Sequence, residues 1–196
     1  MCGMDNNISF TSLIKPVGFG TFHTIISRMP QKGFVPAPWT LKQAALGADV
    51  FTKSVMDCSV YVISDGQKSK MYHICPGCED AKNFERIAKD IEAAFDLASE
   101  NVEAFILGAK PPYKVGEDSY NLFGKFEKFS EEHNIPTTVL KGGVGERSFA
   151  YSSTTDTLYI TNTEKFSCSF EVRTPLDVLK NWFDVVKIHP KDSVVM

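Results

Sequence analysis

The stretch from Cys58 to Ile74 restricts the fold of this chain more than any other. Cys58-Ser59-Val60-Tyr61-Val62-Ile63 is rich in β-branched residues, Asp65-Gly66 is a strong hairpin signal, and Lys70 to Ile74 reads as the returning strand. A hairpin closed there pairs every residue before the turn with one after it, and its register decides which side chains share a face.

The elements on either side follow from periodicity. Over residues 81–99, Phe84, Ile87, Ala88, Ile91, Ala94, Phe95 and Ala98 recur at spacings of three and four, which predicts an amphipathic helix. Residues 102–107 are apolar at most positions and stop at Gly108, as a central strand would. Ser119 is the expected N-cap of a second helix with the stripe Leu122, Phe123, Phe126 and Phe129, ended by Asn134 and Pro136. Residues 137–140, 147–151 and 157–161 read as strands, the last two joined by a polar turn. Nearer the N-terminus, residues 21–27 are expected as a strand, 30–38 as a surface loop and 41–48 as a short helix. Toward the C-terminus, residues 166–172 are expected as a strand, and Pro175 opens a helix through Val186. Two interior helices among many hairpin-linked strands predict an α+β layered sandwich with a mixed, largely antiparallel sheet.

Composition narrows the function. One domain over residues 1–196 suffices, and 43% hydrophobic residues with 15 Phe supply a core. A net charge of −3 argues against a nucleic-acid partner. No apolar run is long enough for a membrane span, and the N-terminus lacks the pattern of a secretory signal. The expected location is the cytoplasm, or a target cell reached without a conventional signal. Five cysteines, an odd and unevenly spaced set, suit a reducing compartment.

Thiol chemistry needs a thiolate, and the usual source is an imidazole that takes the proton and stays charged beside it. The hairpin brings His73 near Cys58, although a Cys at the start of such a strand is more often a small buried hydrophobe. Thr52 stands six residues before Cys58, and His73 stands fifteen after it and is followed by Ile74-Cys75-Pro76. This Thr, Cys and His-x-x-Pro pattern resembles the CheD chemoreceptor glutamine deamidases, and the same Thr-to-Cys spacing recurs in the Burkholderia lethal factor toxin. The similarity continues in order through the helix, the strand ending Gly108-Ala109, a second helix, Ile135-Pro136 and Gly142-Gly143-Val144-Gly145-Glu146-Arg147, covering roughly residues 50–162.

The resemblance implies a bacterial hydrolase with a CheD-like sandwich fold that deamidates a protein glutamine. Cys58 would be the nucleophile and His73 the base, with Thr52 holding His73, and neither cofactor nor metal would be needed. The target would be a receptor of the same cell or, for a toxin or effector, a foreign protein; the unmatched N-terminal segment leans toward the latter. Met56-Asp57 stand where the family has Gly-Ser, and Asp57 would oppose thiolate formation unless it points away.

Two other readings stand beside this one. The chain would be a non-catalytic partner-binding protein on the same fold, or a metal or redox protein using Cys75 and Cys78, whose spacing is that of redox dithiols and of half a zinc site. The glycines around Phe19 and over residues 142–145 match no phosphate-binding fingerprint and read as turns. Arg147 is expected on the surface, and His23, His133 and His189 as ordinary residues.

Overall fold

The computed structural model of the protein describes residues 12–36, 44–56, 58–108, 118–142, 147–162 and 183–188. In chain order these form β1 (Leu13–Pro16), α1 (Phe19–Ser27), a 3-10 turn (Gln31–Gly33), β2 (Phe34–Val35), β3 (Ala45–Gly47), β4 (Asp49–Val55), β5 (Ser59–Ser64) and β6 (Ser69–Ile74). Then come α2 (Glu79–Lys82), α3 (Phe84–Ala94), β7 (Glu103–Gly108), α4 (Asp118–Glu132), β8 (Thr137–Gly142), β9 (Arg147–Ser152), β10 (Thr157–Asn162) and β11 (Phe183–Ile188).

The strands divide between two sheets, a five-stranded one ordered β1-β10-β9-β4-β2 and a six-stranded one ordered β11-β8-β7-β5-β6-β3. Pairings are antiparallel except β1 with β10, β2 with β4 and β7 with β8. Strand alternation gives each sheet two apolar faces. Val60, Val62, Met71, Phe105 and Leu107 of the larger sheet meet Val50, Phe149, Tyr151, Leu158 and Ile160 of the smaller in one buried cluster. On the far side of the larger sheet, Tyr61, Tyr72 and Ile106 pack with Ile87 and Ile91 of α3 and Leu122, Phe123 and Phe126 of α4. On the far side of the smaller sheet, Phe22 and Ile26 of α1 cover Phe51 and Ala150. The α+β sandwich expected from the sequence is present, built as helix, sheet, sheet, helices.

Several local expectations are corrected. Residues 21–27 lie in α1, not a strand: Phe22 and Ile26, four apart, share its buried stripe, and Thr24 and Ser27 return their hydroxyls to backbone carbonyls of the preceding turn. That helical spacing outweighs the β-branched composition. Within residues 41–48, Ala45–Gly47 is the edge strand β3, pairing with β6, and 41–43 lie outside the described residues. The 30–38 loop contains β2, with Val35 fully buried. The long helix breaks at Asn83 into α2 and α3 and stops at Ala94. Ser119 lies inside α4 and is not its N-cap, although Asn134, at φ 54, does close that helix before Pro136. Of residues 175–186, 183–186 belong to β11, where backbone pairing with β8 extends the sheet edge, and 175–182 lie outside the described residues. So does the strand expected at 166–172.

The end of the sandwich away from Cys58 is clamped by a carboxyl pair. Tyr151 Oη lies 3.2 Å from Glu103 of the larger sheet and donates its one proton to the nearer Asp156, in the turn after β9, at 2.8 Å, and both carboxyls hydrogen-bond Ser12. Burial, with the charge of Asp156 adding to it, pushes Glu103 up to about 7. The folded protein therefore holds a proton there that the unfolded chain releases, and this contribution to stability is lost as pH rises from 4.5 to about 7. In urea titrations across that interval, Glu103→Gln should gain stability relative to the wild type as pH rises; a constant difference would show that Glu103 is not protonated in the fold.

Candidate active site

The three residues singled out in the sequence come from both sheets. Thr52 lies on β4, His73 on β6, and Cys58 immediately precedes β5. Thr52 and His73 are fully buried, and Cys58 is 8% exposed. The hairpin sets Val60 opposite His73 and Ser59 opposite Ile74, so one more step places Cys58 opposite Cys75. Cys58 and His73 are thus diagonal neighbours on one face, roughly 7–8 Å apart at Cα in such a pair, and they point toward the smaller sheet.

From that sheet Thr52 reaches across. Its Oγ1 lies 2.6 Å from Nδ1 of His73 and donates to the Val35 carbonyl, also at 2.6 Å. The threonine has one hydroxyl proton and gives it to Val35, so it can only accept from the imidazole. The proton of His73 therefore sits on Nδ1, and the lone pair sits on Nε2. That Nε2 is buried and has no hydrogen-bond partner. Burial also pulls His73 down to about 4, which leaves the ring neutral near pH 7. This differs from the imidazolium expected beside a thiolate: the resting ring is neutral, with its lone pair on Nε2.

Local geometry serves this alignment. Phe34 and Val35 run parallel to Phe51 and Thr52, an approach that Gly33 permits, because a Cβ there would stand 2.1 Å from the Asp49 carbonyl. Beyond Thr52 the pairing of β4 with β9 shifts register before Val55, with Ser54 at φ 61, and this bulge precedes the end of the strand three residues before Cys58. Beside Cys58, Gly108 has φ +103, and a Cβ there would lie 2.4 Å from the Cys58 carbonyl oxygen.

Three features escaped the sequence reading. The Val35 carbonyl was hidden in an expected loop. Cys75, whose Sγ is 3.2 Å from that of Cys58, was grouped with Cys78, yet counting outward from a four-residue turn would have paired it with Cys58. Arg147 is 2% exposed, not a surface residue, and it alternates in phase with Phe149 and Tyr151, which face the space between the sheets. Cys78 turns elsewhere, its Sγ accepting from Ala81 N at 3.4 Å to cap α2. Among the described residues no three His, Cys, Asp or Glu side chains converge as a metal site. His23 packs at a tilt beside Phe19 and His133 beside Phe129, while Asp57, residues 143–146 and His189 lie outside the described residues.

Neither a scan against protein-family models nor a search of curated proteins finds a match to this chain. No helix among the described residues is long and apolar enough to cross a membrane.

Replacing Thr52 by Val keeps the shape but strands the Nδ1 proton, which should cost about 1–3 kcal/mol in urea unfolding. The buried neutral ring also refuses a proton that the unfolded chain accepts, so its contribution to stability is lost as pH falls from 6.5 to about 4. At about 1.4 kcal/mol per pKa unit, the stability of the wild type relative to His73→Gln should fall by about 3 kcal/mol over that interval.

Proposed function

We propose that this protein is a cysteine-dependent glutamine deamidase acting on a side chain of another protein, in its own cell or, as an effector, in a target cell. The observation that carries this reading is the chain from His73 Nδ1 through Thr52 to the Val35 carbonyl, which leaves an unpartnered Nε2 lone pair on the face that bears Cys58. A structural histidine would more ordinarily have both ring nitrogens satisfied. The CheD-like order of Thr52, Cys58 and His73 supplies the reaction class.

In this reading Cys58 Sγ attacks the carboxamide carbon while Nε2 of His73 takes the thiol proton. The imidazolium so formed is stabilised at Nδ1 by Thr52. It returns the proton to the amide nitrogen, ammonia leaves, and a thioester remains on Cys58. Water, deprotonated by the same Nε2, then releases glutamate. Because the ring is neutral at rest, it acts as a general base during attack, without a standing ion pair.

The test is to incubate the full chain with candidate bacterial receptor and host proteins and to follow ammonia release and Gln-to-Glu conversion by mass spectrometry. Cys58→Ala should abolish turnover, and His73→Ala should lower it by about 10²–10⁴-fold. The acidic limb of kcat/KM should fall near pH 4, where His73 gains its proton, and not near 6.5. If Cys58 resists alkylation and His73→Ala leaves its reactivity unchanged, the deamidase reading fails and a partner-binding role replaces it.

A further inference from the structure

The Cys58 sulfur has a neighbour that the deamidase chemistry does not use. Cys75 Sγ lies 3.2 Å away, closer than ordinary sulfur contact, and both side chains are thiols. The two residues face each other one step past the last pair of the β5–β6 hairpin. Directly opposed residues of antiparallel strands have Cα atoms about 4.5–5.5 Å apart, inside the range that a disulfide spans. Only about 1 Å of closure separates the 3.2 Å contact from an S–S bond of about 2.05 Å. Cys75 is half-buried, so an oxidant can reach the pair from outside.

We propose that Cys58 and Cys75 are a reversible oxidation site, closing to a cross-strand disulfide when the protein meets a hydroperoxide. In the first step the more exposed Cys75 takes one peroxide oxygen; the O–O bond breaks, an alcohol or water leaves, and Cys75 becomes a sulfenic acid. Cys58 then attacks that sulfur, the S–O bond breaks, and the hydroxyl departs as water with the thiol proton of Cys58. The two sulfurs together lose two electrons, which the peroxide accepts. A dithiol reductant reverses the change by thiol–disulfide exchange.

The pairing is selective, because the obvious competitor is engaged. Cys78 is spaced two residues from Cys75 as redox dithiols are, but its sulfur caps α2 and is buried among apolar residues of the helical face. The consequence for turnover rests on the deamidase reading: with its sulfur in a disulfide, Cys58 has no thiol to offer an amide. The disulfide itself does not depend on that reading.

The experiment treats the full chain with graded hydrogen peroxide, blocks remaining thiols and maps tryptic peptides without reduction. Residues 54–68 carry Cys58, and 71–82 carry both Cys75 and Cys78. The expected product joins these two peptides, persists in Cys78→Ser, disappears in both Cys75→Ser and Cys75→Ala, and is reversed by dithiothreitol. A link that survives in the Cys75 variants, a loop closed between Cys75 and Cys78, or oxidation of Cys58 to sulfinic acid with no link would overturn the proposal. Activity separates the two readings. A reversible link in a protein that never deamidates leaves the oxidation site standing and sinks the deamidase, whereas turnover that survives peroxide without a link does the reverse.

Discussion

The hydrogen bond from His73 to Thr52 joins the two sheets at the point where chemistry is proposed, and much of the architecture serves to keep it. Val35 must be buried against β4 to receive the threonine proton, which requires the close approach at Gly33. β6 must hold its register against β5, since a slip of one residue would turn His73 to the helical face and exchange it for Tyr72 or Ile74. On that helical face Tyr72 donates to Asp90 of α3 and Tyr61 meets Ser130 of α4, so the helices resist such a slip. The buried side chains behind the site thus position a proton as well as supply hydrophobic stability.

Much of this was legible in the sequence where a single element decides the outcome. The β5–β6 hairpin, the β7 strand ending at Gly108, the stripe of α4 and the turn at residues 153–156 all follow from local pattern. Thr52, Cys58 and His73 stand out in the sequence because their spacing can be compared with a known order of motifs, and the structure brings Thr52 and His73 into contact. The misreadings arose where tertiary packing overrides local preference. α1 is β-branched in composition yet has a face that only a helix can bury under the smaller sheet. β2 and β3 are two and three residues long, too short for alternation to reveal, and they exist because neighbouring strands offer them partners. Arg147 is buried in the interior, where its alternation with Phe149 and Tyr151 places it despite a charge that locally favours the surface.

The site also shows how burial can favour two different reactivities in neighbouring groups. Desolvation keeps His73 neutral, which preserves its lone pair, while the polar relay at Nδ1 settles which nitrogen carries it. The same crowding that excludes water brings two sulfurs into contact. Cys58, one step outside β5, is held by the hairpin register and inherits whatever stands opposite it, and here that neighbour is another thiol.

The relay has one anchor in each sheet, and this makes it a gauge of how the sheets lie on each other. His73 moves with β6, whereas Thr52 and its acceptor Val35 move with β4 and β2. Hydrogen bonds weaken steeply with misalignment, so a small shear between the layers would loosen the hold on Nδ1 before it opened the hydrophobic interior. Nothing in the isolated hairpin fixes the tautomer of its histidine. The tautomer of His73 is therefore set only when the second sheet docks, and the chemistry proposed for Cys58 would be a property of the completed sandwich.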